Sequence, residues 1–399
     1  MTRCAVIGGG ASGLMAACAL ARAGADVTVL ERQPRVGKKL LATGNGRCNF
    51  TNVNASGEQY HGAQSVAAGV LAAYPPARVI AEFEKLGVPA RIDAEGRAYP
   101  ASNMAASVLD NLRLALAEAG GVERTDFDAV RIERGFRVVS RDGAAFACDR
   151  VLVATGGPAA PSLGGTNAGH ELLRALGHGV TKLLPAIAPL RTEPGPIRGL
   201  KGQRARCEVT LFGGKTPVRI EAGEILFTDS GISGICAMQL SRAAQGLSDA
   251  RLSIDFAPDA GDDLIARRAE ALPDRSLEDF LNGLLPRRIG WAVVRAAGLD
   301  DPARPARSLC APECAALARA LRSFPLRVTG VLDFDAAQVT AGGARMREFD
   351  SLTLESRLVP GLFVAGEVCD VDGDCGGYNL QWAWASALAA ANGILGGLD

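Results

Sequence analysis

The hexapeptide Gly8-Gly9-Gly10-Ala11-Ser12-Gly13 constrains the fold of this chain more than any other stretch. It follows an apolar run, residues 4–8, that reads as a short buried strand. After it comes an Ala-rich segment, residues 11–23, that reads as a helix stopped by Gly24. Residues 26–31 (DVTVLE) then alternate and are β-branched, as a second strand requires. The first 31 residues thus form one βαβ unit. Gly8-x-Gly10-x-x-Gly13 stands where a dinucleotide pyrophosphate would rest. Gly8 permits the tight turn, Gly10 lets the backbone approach the phosphates, and Gly13 allows close helix–strand packing. The free N–H groups and dipole of the helix start favour the phosphate charge, and the Ser12 hydroxyl adds a donor. Glu31, 18 residues beyond Gly13, can accept hydrogen bonds from ribose hydroxyls.

Charge and cysteine usage narrow the class. Lys+Arg and Asp+Glu both number 43, so the net charge is zero and no basic tract marks a nucleic-acid or anionic membrane partner. The ten cysteines form no CxxC pair, and the three histidines have no ligand spacing, so no metal is expected. Arg3 and the apolar residues after it superficially resemble a secretion signal, but the glycine cluster breaks it. No apolar run reaches the length of a spanning helix. The expectation is a cytoplasmic protein of 399 residues in two or three domains.

Helices are expected over residues 77–86 and 102–119, and an antiparallel meander over 126–132, 136–140 and 145–148. A further buried strand, 150–154, runs into Thr155-Gly156-Gly157-Pro158. From about Pro189 the chain becomes Pro-rich and strand-like, and residues 260–297 read as helical. At the far end, residues 361–365 form a buried strand ending in Gly366-Glu367, and Gly376-Gly377-Tyr378-Asn379 opens an apolar helix over 379–393. Such a late strand closes over the flavin in two-dinucleotide flavoenzymes. The helix start could face the flavin's pyrimidine edge and stabilise its reduced anion. A second complete GxGxxG unit is absent, so no built-in nicotinamide domain is expected. These features favour FAD over NAD.

Taken together, the motifs resemble the bacterial flavoproteins of the HI0933-like family, which include aminoacetone oxidase-like FAD enzymes. The similarity rests on VIGGGASGL (6–14), GKKLLATGNGRCNFTN (37–52), VLVATGG (151–157), LGH (176–178), PAIAPL (185–190), GEILFTDSGISG (223–234), FLNGLLPRR (280–288), AQVTAGG (337–343) and residues 355–387, which contain GGYNLQWAW. The resemblance implies an α/β fold. Its Rossmann-like, three-layer FAD-binding domain would be discontinuous (1–189 and 340–399), with an inserted β-barrel-like substrate domain (190–255 and 318–339) and a small helical domain (256–317). It implies that Gly8, Gly10, Ala11, Ser12 and Gly13 hold the pyrophosphate, and that Glu31 and Arg32 hold the adenosine ribose. Lys38 and the loop Asn45, Gly46, Arg47, Cys48, Asn49 would approach the ribityl chain and ring. Val130 would set its backbone against adenine. Thr155 and Gly156 would line the strand end, and Gly366, Glu367, Asn379 and Leu380 would lie over the ribityl chain and ring. Three positions depart from the family pattern: His170, Asp229 and Ala344.

For chemistry, Arg47 is the candidate charged group near the ring, with a salt-bridged structural arginine as the alternative. Tyr378 could donate a proton or simply pack. Cys48 and Cys375 fall in flavin-facing loops but read as packed thiols. Trp382 and Trp384, two apart on one helix, cannot share a face. His178 reads as shaping a turn. The expected function is an FAD-dependent oxidoreductase acting on a small organic substrate by hydride transfer at flavin N5, with NAD(P)H or oxygen as second substrate. Two chemistries resemble family members: oxygen-dependent oxidation of an amino ketone, and reduction of a conjugated C=C, as in a bile-acid-like enone. An FAD-containing RNA-modifying protein and a redox-silent FAD scaffold are the other classes. Oligomeric state is left open.

Overall fold

The computed structural model describes residues 1–396. The chain divides into two compact units, one comprising Met1–Leu184 and Gln338–Asp399, the other Pro185–Ala337.

The first unit is built on a five-stranded sheet. Its strands are β1 (Arg3–Ile7), β2 (Asp26–Leu30), β3 (Val122–Arg124), β4 (Arg150–Val153) and β5 (Leu362–Val364), in the order β5-β4-β1-β2-β3. All four pairings are parallel, with Val6 opposite both Leu152 and Val29. Cys4–Ile7 and Val151–Val153 are buried throughout. That explains their unbroken apolar character, since helices cover both faces of a parallel sheet. Helix α1 (Ala11–Arg22) packs against α2 (Tyr378–Ile394) and against the helix Ala105–Glu118. The α1–α2 contact is close because both helices bury small residues, Gly13, Ala16 and Ala17 on one and Ala385, Ala387 and Ala391 on the other. A three-stranded antiparallel meander (Ala129–Glu133, Arg137–Ser140, Ala145–Ala147) follows the helix Ala105–Glu118 and β3.

The second unit is a closed barrel of six strands, ordered Leu190–Thr192, Gly231–Ser233, Thr216–Phe227, Arg204–Gly213, Ala250–Asp255 and Phe324–Val331. The helices Leu264–Ala271, Arg287–Ala296 and Ala311–Arg322 lie between its last two strands in sequence. Their apolar residues, among them Ile265, Val293 and Leu321, share one core with Ile254, Phe324 and Leu326 of the barrel. The helical stretch expected over 260–297 is broken into two helices. Pro273, Gly283 and Pro286 lie between them, and proline cannot continue a helix through its interior.

All ten cysteines are free thiols. Among the described residues no group of three or more His, Cys, Asp or Glu could hold a metal, and no single helix is long and apolar enough to cross a membrane.

Candidate functional site

The glycine turn has one open side. A Cβ placed on Gly8 would lie 2.5 Å from the Ala154 carbonyl oxygen, and one on Gly13 only 1.9 Å from that of Gly8. Gly9 is closed off by Val36, whereas a Cβ on Gly10 would meet nothing within 4 Å. Gly8 has φ +108°, in the region that favours glycine. Gly10 is the N-cap of α1, and no side chain caps that helix. The buried Ser12 hydroxyl points elsewhere, 3.5 Å from the Ala365 carbonyl at the end of β5. Glu31 is fixed by two backbone donors. Its Oε2 accepts from Gly9 N–H and its Oε1 from Gln33 N–H, each at 2.7 Å. Ala11, Glu31 and Arg32 are half-buried. The Arg32 guanidinium donates to the carbonyls of Gly164 (2.9 Å) and Gly165 (3.3 Å). Val130 sits in the first meander strand with an exposed side chain, beside a register shift in its pairing.

The chain's other end closes against this turn. Gly366, with φ +78°, donates its N–H to Ser386 Oγ (2.9 Å) and accepts from the Trp382 indole (3.0 Å). Its missing side chain makes room for Ser12 Oγ, 2.4 Å from where a Cβ would sit. Both Glu367 carboxylate oxygens are engaged, one by Lys39 Nζ and one by the Thr340 N–H, each at 2.8 Å. Thr340 also accepts the Ala159 N–H (3.1 Å), next to Gly157. The Thr155 hydroxyl packs on Gly169, while Gly156 faces open space. Lys38 is half-buried, and the ion pair falls on its neighbour Lys39.

The loop after Lys38–Ala42 takes a run of left-handed conformations at Gly44, Asn45, Gly46 and Cys48. Asn45 and Gly46 are exposed. Arg47 is exposed too, its guanidinium 5.2 Å over the Tyr99 ring and its Nε donating to the Gly44 carbonyl (3.2 Å). Cys48 is fully buried, and burial pushes its thiol up to about 12. The Asn49 Oδ1 is buried with no hydrogen-bond partner and lies 2.8 Å from where a Cβ on Gly377 would sit. Asn379, at the start of α2, holds the preceding loop: its Oδ1 accepts the Gly373 N–H (2.8 Å) and its Nδ2 donates to the Gly373 carbonyl (2.7 Å). The Tyr378 carbonyl accepts from the Tyr60 hydroxyl (2.8 Å), and burial raises the Tyr378 phenol above its ordinary range. Leu380 is half-buried. The next residue, the buried Gln381, accepts from the Thr51 hydroxyl (2.6 Å) and donates to the Tyr74 carbonyl (3.0 Å).

Residues 2–393 match the family model described as the HI0933-like protein Rossmann domain. The chain belongs to the HI0933-like family. It is 36% identical over 407 residues to the 3-dehydro-bile acid delta(4,6)-reductase of Clostridium scindens, covering 98% of each chain. It is 28% identical over 403 residues to the ribosomal RNA dihydrouridine synthase of Escherichia coli, covering 98% of this chain and 97% of that one. Among solved structures, the open conformation of a flavocytochrome c3 fumarate reductase is similar in fold, with a TM-score of 0.50 at 16% identity, covering 100% of this chain and 79% of that one. By family and relatives the chain is a flavin-dependent oxidoreductase.

Within this HI0933-like chain the family departures have distinct surroundings. His170 is fully buried, with Nε2 3.2 Å from the Val368 carbonyl and Nδ1 without a partner. Burial pushes its imidazole down to about 4, against the opposing pull of the Val368 carbonyl and Glu367, so it is neutral at pH 7. Asp229, in the barrel unit, is an exposed partner of Lys201. Ala344 is buried, and its N–H donates to the Val368 carbonyl (2.8 Å). His178 stacks on Phe349 and bridges Glu348 and Ser356, a packing role. Both Trp382 and Trp384 are buried, each indole donating to a backbone carbonyl. Lys39, Thr340, Ser386 and Gln381 were not singled out from the sequence. The polar residues Thr51 and Gln381, at 0% exposure, carry a signal only once their burial is known.

Proposed function

We propose that the chain binds FAD in its first unit and reduces a carbon–carbon double bond conjugated to a carbonyl in a small apolar molecule, with a reduced nicotinamide as electron donor. The fit to FAD rests on the open face at Gly10 beside an uncapped helix start, where a pyrophosphate meets N–H groups instead of side chains. The N–H groups of Ala11, Ser12 and Gly13 would hold the phosphates. Glu31, already oriented by two N–H donors, keeps further acceptor capacity on each oxygen for ribose hydroxyls. Gly156 offers a second open backbone surface, and the partnerless Asn49 Oδ1 beside Gly377 is an acceptor waiting for a donor at the ring end. When bound, FAD supplies hydride transfer at N5. Arg47, exposed on its loop, would bind the substrate carbonyl and stabilise the charge that develops there as the double bond is reduced. Cys48 takes no part, because a thiol held near 12 is not a nucleophile at neutral pH.

The observation that carries the substrate reading is the 36% identity, across 98% of both chains, to a bile-acid delta(4,6)-reductase. The product named for the Escherichia coli relative, dihydrouridine, has likewise gained two hydrogens across a ring double bond conjugated to a carbonyl. That relative supports a second reading, in which the same reduction is performed on uracil in RNA. Its lower identity and the chain's zero net charge put it second. Stopped-flow mixing of anaerobically reduced protein with a 3-oxo-4-ene steroid or a uracil-containing RNA, each against a buffer blank, separates the readings. Rapid flavin reoxidation by the steroid is expected. Reoxidation by RNA alone would move the assignment to the second reading, and reoxidation by neither would overturn both.

A further inference from the structure

The barrel unit contains a pair of thiols with no part in the chemistry above. Cys207 lies on the strand Arg204–Gly213 with its side chain buried, and its ladder partner on the strand Thr216–Phe227 is Gly223. Cys236, in the short helix Ile235–Gln239, packs on that same glycine. A Cβ on Gly223 would lie 3.6 Å from the Cys236 Cβ and 3.9 Å from its Sγ. Directly opposed residues of an antiparallel pair have Cβ atoms about 5 Å apart, so the absent Gly223 side chain leaves a gap flanked by both cysteines. Both side chains are buried beside it, and the Cys236 Sγ donates to the Glu224 carbonyl (3.6 Å) on the strand next to Cys207. Both are shielded from solvent, at 5% and 1% exposure, so a bulky disulfide reagent is excluded and the oxidant has to be small.

We infer that Cys207 and Cys236 form a reversible disulfide when the protein meets a small hydroperoxide. The Cys236 sulfur attacks one peroxide oxygen, forming an S–O bond as the O–O bond breaks and the first water leaves. The Cys207 sulfur then attacks Cys236, forming the S–S bond and releasing the second water. Two thiols lose two protons and two electrons, and one hydrogen peroxide becomes two waters. The asymmetry of the pair favours this order. Cys236 is pulled below the ordinary thiol range, chiefly by the hydrogen bond from Cys207, whereas Cys207 is pushed up by that bond and by burial. The bond would tie the helix Ile235–Gln239 to a strand it does not otherwise pair with, closing a loop across the hairpin.

The test uses the full-length, cofactor-loaded protein treated with a small molar excess of hydrogen peroxide, alkylated, unfolded and digested with trypsin without reductant. The expected product joins peptide 207–215 to peptide 220–242, two hydrogens lighter than their sum, and it disappears on reduction. In Cys207→Ser the link is lost and Cys236 is recovered as an over-oxidised acid. Recovery of both wild-type peptides as alkylated thiols after the exposed Cys310 has been oxidised would overturn the inference. So would a link from either residue to another cysteine. The wild-type digest decides the matter even if the serine variant folds poorly.

Discussion

Two glycine-rich helix starts face each other across this chain's sequence, and they are built differently. At Gly8–Gly13 the backbone does almost everything: Gly8 and Gly13 press against carbonyls, Gly10 faces open space, and no side chain caps the helix. At Gly376–Gln381 the turn is held by side chains from three separate stretches. Asn52 donates to the Gly376 carbonyl, Tyr60 to that of Tyr378, Asn379 to those of Gly373 and Asp374, and Thr51 to Gln381. A backbone cradle can accept any dinucleotide, because every chain offers the same N–H groups. A side-chain network is particular to its sequence, so in the proposed FAD site the second turn would supply the specificity that the first lacks.

Substitutions can break this contrast in graded steps. Gly10→Val fills the one open face of the backbone cradle. Complete loss of bound flavin with the fold retained is expected, measured by absorbance of the purified protein and by circular dichroism. Full occupancy would move the phosphate site elsewhere. Gln381→Leu strands the Thr51 hydroxyl and the Tyr74 carbonyl, for a loss of roughly 2–5 kcal/mol in urea unfolding. ADP affinity should survive, because the first turn is untouched, and equal loss of ADP and FAD would erase the distinction between the turns.

His170→Phe tests the buried imidazole beside the Val368 carbonyl. In the native state His170 stays neutral down to about 4, whereas the unfolded chain takes up its proton near 6.5. The unfolded state therefore binds more protons in that window, and stability falls as the pH drops from 6.5 to 4, by on the order of 3 kcal/mol. The phenylalanine variant should lack that increment. Parallel pH profiles for the two proteins would mean the ring is not held neutral. Arg47→Ala is the gentlest change. Stability should stay within about 0.5 kcal/mol, since the side chain is exposed. Turnover of an enone should drop about tenfold, or ~1.4 kcal/mol in the barrier. Unchanged kinetics would leave Arg47 as a surface residue stacked on Tyr99.

The parts of this fold that rest on local pattern were legible before any coordinates. Residues 4–8, 11–23 and 26–31 announce a strand, a helix and a strand because their burial is periodic or continuous, and Gly24 marks the stop. The strand at 361–365 and the helix after Gly377 are legible for the same reason. What could not be read was partnership across long separations. Glu367 meets Lys39 at a sequence distance of 328, and nothing local distinguishes Lys39 from Lys38. Cys48, read as a packed thiol, is indeed fully buried, but the run of left-handed residues that turns its side chain inward has no local signal. Asn379, placed over the ring by the family resemblance, spends its amide on the loop at Gly373–Asp374, a partnership with no signal in its local sequence. Side-chain direction in irregular segments follows packing, which the linear pattern does not encode.

The edge strand Leu362–Val364 pairs with Arg150–Val153, although roughly 200 residues of other structure are made between them. On a ribosome that interval lasts about 10–40 s. For that time the nascent chain has its glycine turn, four strands and an unmet apolar edge, with α1 still missing its partner helix. Of the proposed cofactor cradle, the half that any dinucleotide could use would form early, and the half that would make it selective arrives with the final segment. Birth order thus leaves the chain waiting for its own tail, and a truncation just before residue 362 would freeze it in that unfinished state.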